Sequence, residues 1–331
     1  MTITVIVNGS WKKTPSGVKV DTDMRNAFIK AITEIGKDEN VILLINDTGQ
    51  FILKDFADNY PGRLLNVGIA EQNMVGLAAG LAASGKTVFV YSIASFLARA
   101  YEQIKIDVCY PNLNVKFVGV GAGLAYGTMG ITHHSTEDIA IMRALPNMTI
   151  ISPCDPIEAE QATVRVYNHP GPVYLRLGLT DEPNLHYSNY NFTFKGIDVI
   201  KDGEDIAIIS TGRMVKTALE AAEILKNSGV SAMVVNISTI KPLPYVVNFL
   251  VRECKVKTIL TIEEHNVIGG LGSAIAEDIA RSDIKIPFQM MGIYNQFCTE
   301  YGSWSYLQEK LCLSATHVVL EALVLRVKHE S

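Results

Sequence analysis

The sequence predicts an α/β protein of two successive blocks, each a doubly wound, mostly parallel sheet covered by helices on both faces. Short apolar runs such as Val41–Ile45 and Val115–Val120 read as strands buried on both sides. They alternate with stretches of helical apolar spacing, the pattern of parallel βαβ units. The alternation lapses at residues 180–195, where polar and aromatic residues follow neither period. A chain of 331 residues has room for two separate cores.

Residues 1–22 read as an N-terminal extension. Their apolar patch is cut by Asn8 and Gly9 and has no basic region ahead of it, so it matches neither a membrane span nor a signal segment. The first block, 23–179, opens with a helix over 23–36, then strand Val41–Ile45, closed by Asn46, Asp47, Thr48 and Gly49. A small-residue helix follows, then a strand over 87–91, a helix over 95–109 and strand Val115–Val120. After a Gly-rich loop over 119–130 come a helix over 137–145, a strand over 149–152, helix Pro156–Tyr167 and strand Val173–Leu177. Beyond the linker at 180–195, the block 196–331 repeats the alternation. It has strand Ile206–Ser210, a helix over 214–228, strand Ala232–Asn236, a strand over 258–262 and a helix after 269–272.

Composition narrows the function. A net charge of −5 offers no basic field for a nucleic acid. Cys109, Cys154, Cys254, Cys298 and Cys312 are scattered, odd in number and never in C-x-x-C spacing. They read as incidental thiols of a reducing, cytoplasmic compartment, with neither disulfide frame nor zinc site. No membrane partner is expected.

The chain is organised around residues 66–85, N-V-G-I-A-E-Q-N-M-V-G-L-A-A-G-L-A-A-S-G. Glu71 stands at the mouth of a helix whose residues 74–83 carry no charge. Apolar all round, such a helix is expected to be buried, with Gly76 and Gly80 admitting another backbone. A carboxyl there loses solvation, which raises its pKa unless a partner offsets the loss. The same position also suits a structural anion on the helix dipole.

Several segments settle between these readings: P-G-R-L-L-N-V-G-I-A-E-Q-N, S-F-L-A-R-A-Y-E-Q-I, G-I-T-H-H-S-T-E-D-I-A, M-R-A-L-P-N-M-T-I-I-S-P-C-D, G-P-V-Y-L-R and E-E-H-N-V-I-G-G-L-G-S-A-I-A-E. In their order and content they resemble the C-terminal half of transketolase and deoxyxylulose phosphate synthase. That half is the pyrimidine-binding domain of a thiamine diphosphate enzyme followed by the transketolase C-terminal domain. The resemblance covers most of residues 23–280 and implies thiamine diphosphate as cofactor. In that family a buried glutamate serves the ring nitrogen of the cofactor's aminopyrimidine, so that the cofactor supplies the base. By its match, Glu71 is that residue. Phe96 matches the aromatic that stacks on the pyrimidine, Ile93 lines the same pocket, and Arg99 and Asp47 fall at positions near the cofactor. His133 matches the histidine of the family's D-G-x-T-H motif, which faces the reacting carbons. His134 stands where Gln is usual, and Arg176 matches an arginine that binds substrate phosphate.

The departures carry as much. Met129 replaces the Asp of D-G-x-T-H, and Gly121 falls where transketolases direct a histidine at the acceptor phosphate. Retained cofactor residues with lost polar contacts imply an altered, non-standard sugar or sugar phosphate substrate. The G-D-G motif that holds the diphosphate through Mg²⁺ is absent from the sequence, and Lys201-Asp202-Gly203-Glu204 reads as a turn. The resemblance therefore implies a transferase that moves a two-carbon ketol unit only when joined to a separate diphosphate-binding subunit carrying the Mg²⁺ ligands. A self-dimer within an α₂β₂ complex is the expected assembly. Two alternatives stand beside it: the β subunit of a 2-oxo acid dehydrogenase, and a non-catalytic assembly paralogue. The strings T-H-H and A-L-P-N-M look more like the transketolase branch.

Overall fold

The computed structural model of the chain describes residues 5–7, 22–179 and 182–330. Its strands are β1 (Val5–Val7), β2 (Val41–Ile45), β3 (Leu64–Asn66), β4 (Thr87–Ile93), β5 (Val115–Val120), β6 (Thr149–Ile151), β7 (Val173–Leu177), β8 (Ile197–Lys201), β9 (Ile206–Ser210), β10 (Ala232–Asn236), β11 (Thr239–Lys241), β12 (Thr258–Asn266) and β13 (Phe288–Ile293). They form two sheets, ordered β11-β6-β7-β5-β4-β2-β3 and β1-β8-β10-β9-β12-β13. All pairings are parallel except β11–β6 and β10–β8. Both faces of each sheet carry an apolar core, so the expected α/β class and its parallel sheets hold.

Helices follow where the apolar spacing places them. Helix α1 (Met24–Ile35) starts at Asp23, whose carboxylate accepts from the Asn26 N–H at 2.7 Å. It buries Met24, Ala27, Phe28 and Ile32 against the first sheet and packs on α7 (Pro156–Tyr167). That helix has Asp155 as its cap and proline at its first position. Between them lie α2 (Lys54–Asn59), α3 (Glu71–Ala83) and α6 (Asp138–Arg143). In the second block α8 (Met214–Asn227) and α12 (Ala315–Glu330) cover one face of the sheet. The short α9 (Val246–Asn248) and α10 (Leu271–Arg281) pack on the other, and α11 (Trp304–Lys310) closes the first side.

Four expectations change in detail. The helix over 95–109 is a broken run: α4 (Ala94–Leu97), a tightened turn at Ala98–Ala100, α5 (Tyr101–Gln103) and a widened turn at Ile104–Cys109. Residues 182–195 form no helix or strand yet are not loose. Phe192 enters the first core, and Glu182 and His186 are buried. Helix α3 is buried on one side only. Gln72, Asn73, Gly76, Leu77 and Gly80 are exposed, and among the described residues no atom lies within 4 Å of a Cβ built at Gly76 or Gly80. No second backbone among the described residues uses those glycines. The N-terminal extension lies mostly outside the described residues, but its β1 pairs with β8 at the edge of the second sheet.

The two blocks interlock. Strand β11 belongs to the second block by sequence yet pairs with β6 of the first sheet. The linker's His186 lies 3.0 Å from Asp155 of the first block and 2.5 Å from Asp198 on β8. Burial opposes a charge on His186, but the two carboxylates outweigh it and hold its pKa well above the ordinary histidine value. Among the described residues no helix is long and apolar enough to cross a membrane.

Candidate active site

The chain leaves β2 toward β3 and leaves β4 toward β5, so the direction of winding reverses between β2 and β4. A crevice opens at such a point beyond the carboxyl ends of the strands, the usual ligand position in doubly wound sheets. A cavity of about 240 Å³ lies there, lined by Thr48 and Gly49 after β2, Tyr91 and Ile93 of β4, Val120 of β5, and Arg25 and Tyr126.

Glu71 is the first residue of α3 and is 4% exposed. Its Oε1 accepts from the side-chain amide of Asn46 at 2.8 Å. Asn46, itself buried, follows directly on β2, and its other end accepts from the Thr48 hydroxyl at 2.7 Å. Nothing in the local sequence marks this partner, because an Asn closing an apolar strand reads as a turn residue. Asn46 supplies a neutral donor to a buried carboxyl, which fixes one oxygen and leaves the other for a proton or a ligand.

Around the crevice the rings of Phe96 and His133 meet edge to face with centroids 5.1 Å apart. Tyr126 meets His133 from a further side at 5.8 Å. The Thr132 hydroxyl lies 2.9 Å from Nδ1 of His133. Ile93, Phe96 and His133 are thus linked through Tyr126 into one half-buried wall. Gly121 explains part of its shape. Its φ is +70°, and a Cβ there would lie 2.0 Å from Cε2 of Tyr126. No side chain fits at 121 while Tyr126 keeps its place.

Arg176 is held by groups of this chain. It is 5% exposed, its Nε donates to Asp138 at 2.8 Å, and its Nη2 donates to the carbonyls of Ser135 and Glu264. On a strand flanked by β5 and β6 its side chain enters the junction between the blocks, and its guanidinium serves as a strut. Burial favours protonation of Asp138, but Arg176 and His265 outweigh it and hold the carboxyl below its ordinary range. His134 is buried, which pushes its pKa below the ordinary histidine value against an opposing contact with the Gly127 backbone. Met129 is 56% exposed and Arg99 is exposed. Asp47 is exposed at φ +63°, held by reciprocal hydrogen bonds with Asn66 at 3.0 and 3.1 Å. Arg25, which the sequence reading passed over, lines the cavity with its Nε buried and unpartnered among the described residues.

The donor set suits the aminopyrimidine half of a thiamine diphosphate site: a buried carboxyl, a half-buried aromatic and an apolar lining. It does not suit the diphosphate half. At Lys201-Asp202-Gly203 the chain turns so tightly that a Cβ on Gly203 would lie 2.3 Å from the backbone of Ala232 and Met233. That turn is packed against β10, and the sequence carries no G-D-G motif.

With this architecture in place, the comparisons agree. The transketolase pyrimidine binding domain matches residues 21–180 and the transketolase C-terminal domain matches residues 196–318. The chain belongs to the transketolase family. Some of its relatives are named as sections or subunits of transketolases, while others, such as the 1-deoxy-D-xylulose-5-phosphate synthases, are longer chains of which it spans under half. It is 41% identical over 280 residues to a putative transketolase C-terminal section of Methanocaldococcus jannaschii, covering 83% of this chain and 87% of that one. It is 37% identical to a subunit of the 6-deoxy-6-sulfo-D-fructose transketolase of a Clostridium strain, covering 93% and 96% of the two chains. A solved split-gene transketolase, an inactive beta4 tetramer, superposes with a TM-score of 0.82 at 36% identity, covering 92% of this chain and 98% of that one.

Proposed function

We propose that this chain is the pyrimidine-domain subunit of a two-component, thiamine-diphosphate-dependent transketolase that moves a two-carbon ketol unit between sugars. The observation that carries the reading is Glu71: a buried carboxyl at the first turn of α3, held at one oxygen by Asn46 at the end of β2. When bound, the cofactor supplies an activated carbon that accepts the ketol fragment. Glu71 would hold a proton at its free oxygen for the aminopyrimidine ring nitrogen. Phe96 and Ile93 would pack on that ring and exclude water. His133, steadied by Thr132, would move protons at the substrate's reacting carbons.

Diphosphate and Mg²⁺ fall to a partner subunit, in line with the packed turn at Gly203. The exposed, uncharged face of α3 suits a second copy of this chain, within an α₂β₂ complex formed with that partner. The relative solved as an inactive beta4 tetramer is consistent with a chain that self-associates without its partner. A non-standard sugar follows from Gly121 and Met129, and a relative named for 6-deoxy-6-sulfo-D-fructose supports it. The test is co-expression with a G-D-G-bearing partner and a profile of donor and acceptor sugars. Ketol transfer is expected, poor with xylulose 5-phosphate and ribose 5-phosphate and improved toward them by Met129→Asp. Carbon dioxide release from a 2-oxo acid, with no ketol transfer, would overturn it.

A further inference from the structure

Tyr126 forms a wall of the cavity and also touches His133. Its hydroxyl makes no hydrogen bond to any described residue; Arg25 lines the same cavity with its buried Nε making no hydrogen bond among the described residues, while its Nη2 lies 3.7 Å from Asp23. Burial raises the pKa of Tyr126 against the opposing charge of Arg25, so at neutral pH the phenol is a donor. A phenol O–H and a guanidinium N–H on one small cavity are complementary to a tetrahedral oxyanion. Tyr126 also excludes any side chain at position 121, as the 2.0 Å approach to a Cβ there shows.

We infer that Tyr126 is a specificity-determining residue: its ring limits the length of the sugar, and its hydroxyl, with Arg25, binds an oxyanion at the sugar's end. The inference rests on the transketolase reading above. Sugar phosphates and sugar C-sulfonates both end in such an oxyanion, so both are tested.

The experiment compares wild type, Tyr126→Phe and Tyr126→Ala in the reconstituted two-subunit enzyme, with one fixed acceptor. The donors are fructose, fructose 6-phosphate, 6-deoxy-6-sulfofructose and sedoheptulose 7-phosphate. Loss of one hydrogen bond to a charged group is expected in Tyr126→Phe to raise KM about tenfold for the favoured charged hexose. That rise should be about tenfold larger than any change in KM for fructose, and kcat for the charged hexose should fall no more than kcat for fructose. Tyr126→Ala should raise kcat/KM for the seven-carbon phosphate relative to the six-carbon one by about tenfold. Whichever charged hexose shows the KM effect identifies the oxyanion. An equal KM shift for fructose, a fall in kcat alone, or no change would overturn the inference. A fall in kcat alone would show that Tyr126 merely props His133. If wild type transfers no ketol unit, the transketolase reading fails. The same ketoses titrated by calorimetry into the cofactor-free complex then decide the matter separately. Binding of a charged hexose about tenfold weaker in Tyr126→Phe supports the inference; equal binding, or none to wild type, refutes it.

Discussion

Replacing Asp138 by Asn tests whether Arg176 is a strut or a substrate contact. In the structure the two side chains are 5% and 3% exposed, and Nε lies 2.8 Å from Oδ2. The same oxygen accepts from the Tyr174 hydroxyl at 2.7 Å. An amide at 138 keeps the shape but removes the charge opposite a buried guanidinium. Breaking a buried pair on one side costs about 3–5 kcal/mol, because the remaining charge stays desolvated. With a urea slope of about 2 kcal/mol per M, the unfolding midpoint of the isolated chain should fall by roughly 1.5–2.5 M. The measurement is urea unfolding followed by fluorescence and circular dichroism, with no substrate present. A midpoint within about 0.3 M of wild type, joined to a tenfold rise in KM for phosphorylated sugars only, would refute the strut and restore the anion contact.

Two further outcomes are expected. Glu71→Gln keeps an acceptor for Asn46 but cannot supply a proton, so the reconstituted enzyme should lose about a hundredfold or more in kcat while the chain's stability stays within about 1 kcal/mol. Turnover near wild type in steady-state assays would remove Glu71 from its role. Lys116, buried on β5 and donating to the carbonyls of His169 and Gly171 at 2.5 and 2.7 Å, is pushed by burial down to about 7. Its folded pKa lies below its unfolded value of about 10.4. Between pH 7 and 10 the unfolded chain therefore binds the extra proton, and stability rises with pH by up to about 1.4 kcal/mol per unit. Lys116→Met should flatten that slope in a pH series of urea melts, and an unchanged slope would contradict the shift.

What the sequence could show followed from local chemistry. The runs Val41–Ile45 and Val115–Val120 are apolar on both faces, so their place inside a parallel sheet was legible. So was Glu71, because its helix mouth is contiguous in sequence. Asn46 and Arg25 were not, since each matters only through a neighbour brought close by the winding of the sheet. The pairing of Arg176 with Asp138 was not legible either, because a motif gives a residue type and not a direction. On β7, between β5 and β6, an arginine has only buried surroundings and takes the carboxylate at hand. The exposed side of α3 was equally hidden: an uncharged helix reads as buried, whether its cover lies in the same chain or in another. The broken turns over 98–109 have no signal in the apolar spacing, which continues through them.

On the proposed function this chain holds one half of a cofactor site. Calorimetric titration of thiamine diphosphate with Mg²⁺, first into the chain alone and then into its complex with a diphosphate-domain partner, separates the half site from a whole one. Little or no heat is expected from the chain alone, and saturable, Mg²⁺-dependent binding from the complex. Tight, Mg²⁺-dependent binding by the isolated chain would rule the half site out.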